Sequence, residues 1–150
     1  MGVTMTSERL YQGFISERPE ATFFHGHSFT ANPLGCAAAV ASLDLLQANP
    51  ERFQQFEVRH TPLLEELASH PLVRRPRCVG TMAAFDVEAG EASYLNPVGK
   101  QIQRHCLEQG VYLRPLGNVV YLLPPLGIHA GQLQRCYGAV RQALDALVPG

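Results

Sequence analysis

Of the 12 basic residues in the sequence only Lys100 is a lysine, the other eleven being arginine, and tryptophan is absent. Any chemistry that needs a side-chain amine therefore has one to draw on, because a guanidinium cannot take its place in a Schiff base. No run approaches the roughly 20 apolar residues of a membrane span, and no basic segment followed by an apolar core opens the chain. We expect a cytoplasmic protein without a membrane partner. The four cysteines, Cys36, Cys78, Cys106 and Cys136, are widely spaced and form no C-x-x-C pair, which argues against a zinc site or a redox motif. They read as buried, reduced thiols. Twelve basic side chains against 13 acidic ones, a net charge of -1 and no basic tract leave no electrostatic footprint for nucleic acid. What is present, 46% hydrophobic and 17% charged residues over 150 positions, is the composition of one globular domain able to bury a core without metals or disulfides.

The start, Met1 to Thr6, has the pattern of a strand end, and Ser7-Glu8 then caps a short helix carrying Leu10, Tyr11, Phe14 and Ile15. Residues 22 to 31, Thr-Phe-Phe-His-Gly-His-Ser-Phe-Thr-Ala, are too irregular for a helix and rich in hydrogen-bonding groups. Asn32-Pro33 is a helix start, followed by the small-residue run Gly35 to Ala39 and then Leu43, Leu45 and Leu46. After Asn49-Pro50 a second helix runs from Glu51 to His70 with Phe53, Phe56, Leu63, Leu64 and Leu67 on one stripe, and Pro62 is expected to kink or split it. Leu72-Val73 and Cys78 to Val87 suggest two strands, or one bent strand, around Gly80. Asn96-Pro97 opens a helix with Val98, Ile102, Cys106 and Gln109 on one side, carrying Lys100 and stopped by Gly110. Val111 to Arg114 and Val119 to Leu123 flank Pro115 to Asn118 as a hairpin, and Leu133, Tyr137, Val140, Leu144 and Leu147 mark a closing amphipathic helix. The order after residue 70 is thus β, β, α, β, β, α. That is an α+β layer of antiparallel strands with helices on one face.

Two places could carry chemistry. His25-Gly26-His27 invites a metal, but two imidazoles without a third ligand are weak evidence for one. The same loop also suits an anion, since the Ser28 hydroxyl and loop amides precede a helix start whose free N–H groups and dipole favour phosphate. Arg114 stands at a strand end in the apolar run Val111-Tyr112-Leu113-Arg114-Pro115-Leu116. Its fork fits a carboxylate ligand, or equally an edge-strand pairing with Asp86, Glu88 or Glu108. Tyr121, on the neighbouring strand, is either core or pocket wall.

The segments from His25 to Cys36 and from Tyr112 to Pro125 resemble those of the class III pyridoxal-phosphate aminotransferases. Within that family the R-P-x-G-x-x-x-Y-x-x-P-P pattern of the second segment is most like the subgroup that makes diaminopelargonic acid for biotin. The likeness runs over essentially the whole chain but covers only the family's C-terminal part. It implies the end of the large domain of a fold-type I enzyme over 1–32, a connecting helix over 33–50 and the small domain over 51–150.

Residue by residue, the resemblance implies that His27 and Ser28 lie against the pyridoxal 5'-phosphate of the neighbouring subunit in a homodimer, with Gly26 bordering the substrate. Ser28 stands where threonine is common and keeps the hydroxyl; His27 stands where proline is frequent. Arg114 is implied to hold the carboxylate of the oxo acid, with Leu116, often phenylalanine in relatives, and Tyr121 bordering the pocket. The family's Schiff-base lysine, and the aspartate that pairs with the pyridine nitrogen, fall outside these 150 residues. No catalytic residue is therefore expected within them, and Lys100, on a surface-type helix, has none of the required context. The implied reaction passes an amino group from a donor, S-adenosylmethionine in most members of the subgroup, to 8-amino-7-oxononanoate, and the 150 residues alone are expected to be inactive. Competing assignments are another class III specificity, of ornithine or ω-amino acid type, and a module that binds partners without catalysis.

Overall fold

The structure, a computed structural model, describes residues 2–148, with the side chains of residues 52–54 outside the description. It comprises two compact units, Met1–Asn49 and Pro50–Gly150.

In the first unit, helix α1 spans Glu8–Gln12 and helix α2 spans Pro33–Gln47, with a 3-10 turn at Pro19–Ala21 between them. α2 begins as its sequence dictates: Pro33 occupies the first position and the Asn32 Oδ1 accepts the Gly35 N–H at 3.1 Å. α1 is shorter than expected. It ends where the Gly13 N–H bonds the Leu10 carbonyl, so Phe14 and Ile15 lie beyond it. Gly2 to Thr6 is not a strand end either, because the described residues of this unit contain no strand for it to pair with. None of the described residues 2–49 is buried.

The second unit contains helix α3 (Glu51–Ala68), strands β1 (Val73–Val79) and β2 (Met82–Val87), helix α4 (Val98–Glu108), strand β3 (Val119–Leu122) and helix α5 (Ala130–Asp145). The strands form one antiparallel sheet in the order β1-β2-β3. β1 and β2 are joined by Gly80-Thr81, with Gly80 at φ 56°, the left-handed geometry that lets a two-residue turn match the strand twist. β1 takes in the stretch Arg74-Arg75-Pro76-Arg77, which lies between the two runs expected as strands. It is accommodated by an irregularity in the register between Arg74 and Arg77, at the sheet edge, where a missing N–H costs no ladder bond.

α3 runs on through Pro62 rather than splitting there. Proline removes the donor to the Val58 carbonyl, and Val58 lies on the exposed side where water can serve instead. The hairpin expected around Pro115 to Asn118 does not form as a strand pair. Val111 to Arg114 alternate buried and exposed like a strand, but they form no ladder with β3. Pairing stops after the single bridge Leu116↔Val119, since Pro115 has no N–H to extend it. The sheet therefore has three strands, not four.

The core lies on one face of this sheet. Ala83, Phe85, Val87, Val120 and Leu122 from the strands meet Leu64, Leu67, Ile102, Cys106, Leu133, Tyr137, Val140 and Leu144 from the helices. The stripes expected on α3, α4 and α5 are the buried ones, apart from Leu63, Gln109 and Leu147, which are half-buried, and Phe53, whose side chain lies outside the described residues. Fully burying a Leu, Val or Phe side chain is worth roughly 1.5–3 kcal/mol, so this single face supplies most of the unit's stability. Of the cysteines only Cys106 is buried; the other three are half-exposed, and all four are free. Burial, with the Cys136 thiol second, pushes the Cys106 thiol up to about 11, so it stays protonated and unreactive.

Candidate functional site

The loop before α2 is held by its own side chains. The Phe29 N–H donates to His27 Nδ1 at 3.1 Å, and the His27 N–H donates to Thr30 Oγ1 at 3.2 Å. With Nδ1 taken as an acceptor, the neutral His27 ring carries its hydrogen on Nε2 and can donate outward. Gly26 and His27 border a cleft of about 700 Å³ within this unit, together with Thr4, His25, Thr30 and Asn32. Ser28 follows His27, and among the described residues neither its N–H nor its hydroxyl has a partner.

The helix start offers less to an anion than its sequence suggests. Pro33 has no N–H, Gly35 is capped by Asn32, and the Cys36 N–H bonds the Asn32 carbonyl at 2.9 Å. Of that first turn only the Leu34 N–H is left. The donors available for an anion are thus Ser28 and His27 rather than the helix end itself. Among the described residues no group of three His, Cys, Asp or Glu side chains is placed to hold a metal.

In the second unit, residues paired directly across neighbouring strands share a sheet face. Tyr121 lies opposite Ala84, Val119 opposite Asp86, and Leu116 opposite Val119. All of these stand on the face away from the helices, since Phe85 and Val120 point into the core. Arg114 continues the alternation of Val111 to Leu113, with Val111 and Leu113 buried and Tyr112 and Arg114 exposed. Leu116 and Tyr121 thus stand on one face of the sheet, and Arg114, exposed, precedes Leu116 by two residues. Two of the carboxylates that could have claimed Arg114 are engaged, Asp86 by Arg75 and Arg77 and Glu88 by Arg74, and Arg114 makes no ion pair among the described residues. Lys100 is exposed on α4.

Sequence reasoning did not find the burial of three polar groups, Asp86, His60 and His70. Asp86, 5% exposed, sits between the Arg75 and Arg77 guanidiniums on the same open face. Burial by itself would raise its carboxyl; the hydrogen bonds from Arg77 and Arg75 outweigh that and hold it below the usual carboxylate range. The only signal was a charge within an apolar strand. His60 on α3 is fully buried, its Nδ1 2.8 Å from the Tyr137 Oη on α5, while its Nε2 has no partner among the described residues. Burial lowers its pKa. The α3 stripe of Phe56, Leu64 and Leu67 passes through position 60, so the periodicity could have found it.

The model of the family Aminotransferase class-III matches residues 2–144, and the chain belongs to that family. An adenosylmethionine-8-amino-7-oxononanoate aminotransferase from Synechococcus elongatus is 46% identical over 147 residues, 98% of this chain and 35% of its own length. The enzyme of the same name from Geobacter sulfurreducens is 32% identical over 162 residues, 100% of this chain and 35% of its own length. The crystal structure of the Methanocaldococcus jannaschii enzyme of that name superposes with a TM-score of 0.77 at 27% identity, over 94% of this chain and 34% of the other. The chain thus spans about a third of the length of the relatives it matches.

Proposed function

We propose that this chain supplies the substrate-carboxylate clamp and part of the cofactor-phosphate site of an aminotransferase that converts 8-amino-7-oxononanoate to 7,8-diaminononanoate, with S-adenosylmethionine as amino donor, in biotin synthesis. The observation that carries it is the uncommitted Arg114, exposed two residues before Leu116, with Asp86 and Glu88 held by other arginines. A planar guanidinium in that setting matches a ligand carboxylate with two parallel hydrogen bonds.

The loop residues fit the phosphate of pyridoxal phosphate. Ser28 offers a hydroxyl and an amide N–H, and the His27 tautomer fixed by Phe29 turns an Nε2–H donor outward. Gly26, where an added Cβ would meet nothing within 4 Å, leaves open space beside the cleft for substrate. The cofactor, when bound, serves as the electron sink of amino transfer, and the protein supplies binding and orientation. In this assignment the domain limits are 1–32, 33–50 and 51–150, and the phosphate contacts are made across a homodimer.

Arg114→Ala in the complete protein should raise KM for the oxo acid while leaving KM for the amino donor unchanged. A lost charge pair of roughly 2–5 kcal/mol corresponds to a factor on the order of 30 to a few thousand. An unchanged KM for the oxo acid would overturn the assignment.

A further inference from the structure

Arg114 lies on a segment with no ladder of its own, yet the residues on both sides of it are fixed by one face of α4. The Gln103 side chain donates from Nε2 to the Leu113 carbonyl at 2.6 Å. One turn earlier, Gly99 is buried against the far side. A Cβ there would come within 2.8 Å of the Pro115 Cβ and overlap the Gly117 carbonyl oxygen. Positions 99 and 103 are four apart, so they stack on one stripe of the helix, and they grip residues 113 and 115.

The far end of the turn is equally tight. Gly117 has φ 60°, and a Cβ on it would run into the Ser93 carbonyl and come within 2.8 Å of the Tyr94 Cα. The clashes are with backbone, which has no flexible end to swing aside. Ser93 in turn belongs to a loop tied down by Asn96, whose Nδ2 donates to the Ala89 and Glu91 carbonyls at 2.7 Å each and whose Oδ1 accepts the Val98 N–H at 2.9 Å. The start of α4, the 89–97 loop and the turn after Arg114 form one interlocked backbone.

We infer that Gln103 and Gly99 are positioning residues for the Arg114 guanidinium: a helix face that touches no substrate sets where the carboxylate clamp stands. The inference rests on the proposed role of Arg114. Leu113 and Pro115, held toward the helix, force the intervening Arg114 side chain to project away from it, where it is exposed. Losing one grip frees the peptide between them, and a displacement of about 1 Å at a clamp can cost on the order of 100-fold in rate.

The test compares kcat/KM for 8-amino-7-oxononanoate with that for its methyl ester, in the complete protein, for the parent, Arg114→Ala and Gln103→Met. Methionine keeps the length and packing of glutamine but cannot donate. We expect Gln103→Met to lose 10-fold or more of the preference for the acid over the ester, with kcat/KM for the ester within about twofold of the parent and Tm within a few degrees. Gln103→Asn, polar but one methylene short of Leu113, should behave in the same way and stands in if the methionine variant folds poorly. If Arg114→Ala abolishes the acid preference while both Gln103 variants retain it, positioning by α4 is refuted and the clamp stands. If Arg114→Ala leaves the preference intact, the clamp and its positioning fall together.

Discussion

Single residues show how unevenly a charge cluster is valued. Asp86 is buried, while Arg75 and Arg77, which hold it, remain largely in water, with side-chain exposures of 78% and 47%. Removing the carboxylate by Asp86→Asn leaves two guanidiniums that can hydrate, and should cost about 1–3 kcal/mol, the worth of hydrogen bonds to charged groups. Removing both arginines leaves a carboxylate buried and unpaired, which should cost more, roughly 3–5 kcal/mol. Denaturant unfolding of the two variants checks the order, and equal losses would show that Asp86 is better hydrated than its burial indicates. The depressed carboxyl of Asp86 contributes stability that is full above about pH 4, the unfolded value, and disappears only as pH falls through the lower folded value. At this scale the sequence was informative about Arg114, whose apolar neighbours made it conspicuous, and misleading about Asp86, which it offered as a partner for Arg114 although Arg75 and Arg77 hold it.

Among elements, the α3–α5 contact carries a dependence in a different pH window. His60 is neutral when folded, its ring enclosed and its Nδ1 against the Tyr137 hydroxyl. Because its folded pKa lies below the ordinary 6.5, the unfolded chain takes up the proton first. Stability should be flat in this respect above about pH 6.5 and fall as pH is lowered through the ordinary value toward the folded one. Tm measured from pH 7.5 to pH 5 should show the decline, and a His60→Asn variant, though less stable, should show a shallower one. The helices and their buried stripes were legible because period-3.6 burial is a local property. The register of β1 and the missing fourth strand were not, because a strand exists only with its partner, and a proline at 76 or 115 acts through hydrogen bonds that the linear sequence does not display.

At the scale of the whole chain, the described residues 2–49 contain no buried side chain, and they expose Leu34, Phe24 and Phe29 at 82%, 84% and 75%. Apolar surface of that extent is normally covered, so the 150-residue chain alone should self-associate, with a concentration-dependent sedimentation coefficient. It should also give no turnover with added pyridoxal phosphate, since its one lysine stands exposed on α4; a coupled assay for diamine product measures this. The form of the association is set by β1, an edge strand carrying Arg74, Arg75 and Arg77 with Pro76 among them and a break in register. Positive charge, a missing donor and a kink make that edge a poor template for another strand. Chains that meet through the apolar surface of residues 2–49 should therefore form dispersible, helix-rich oligomers that leave thioflavin dark, the sheet having been armoured against fibril growth by the same arginines that hold Asp86.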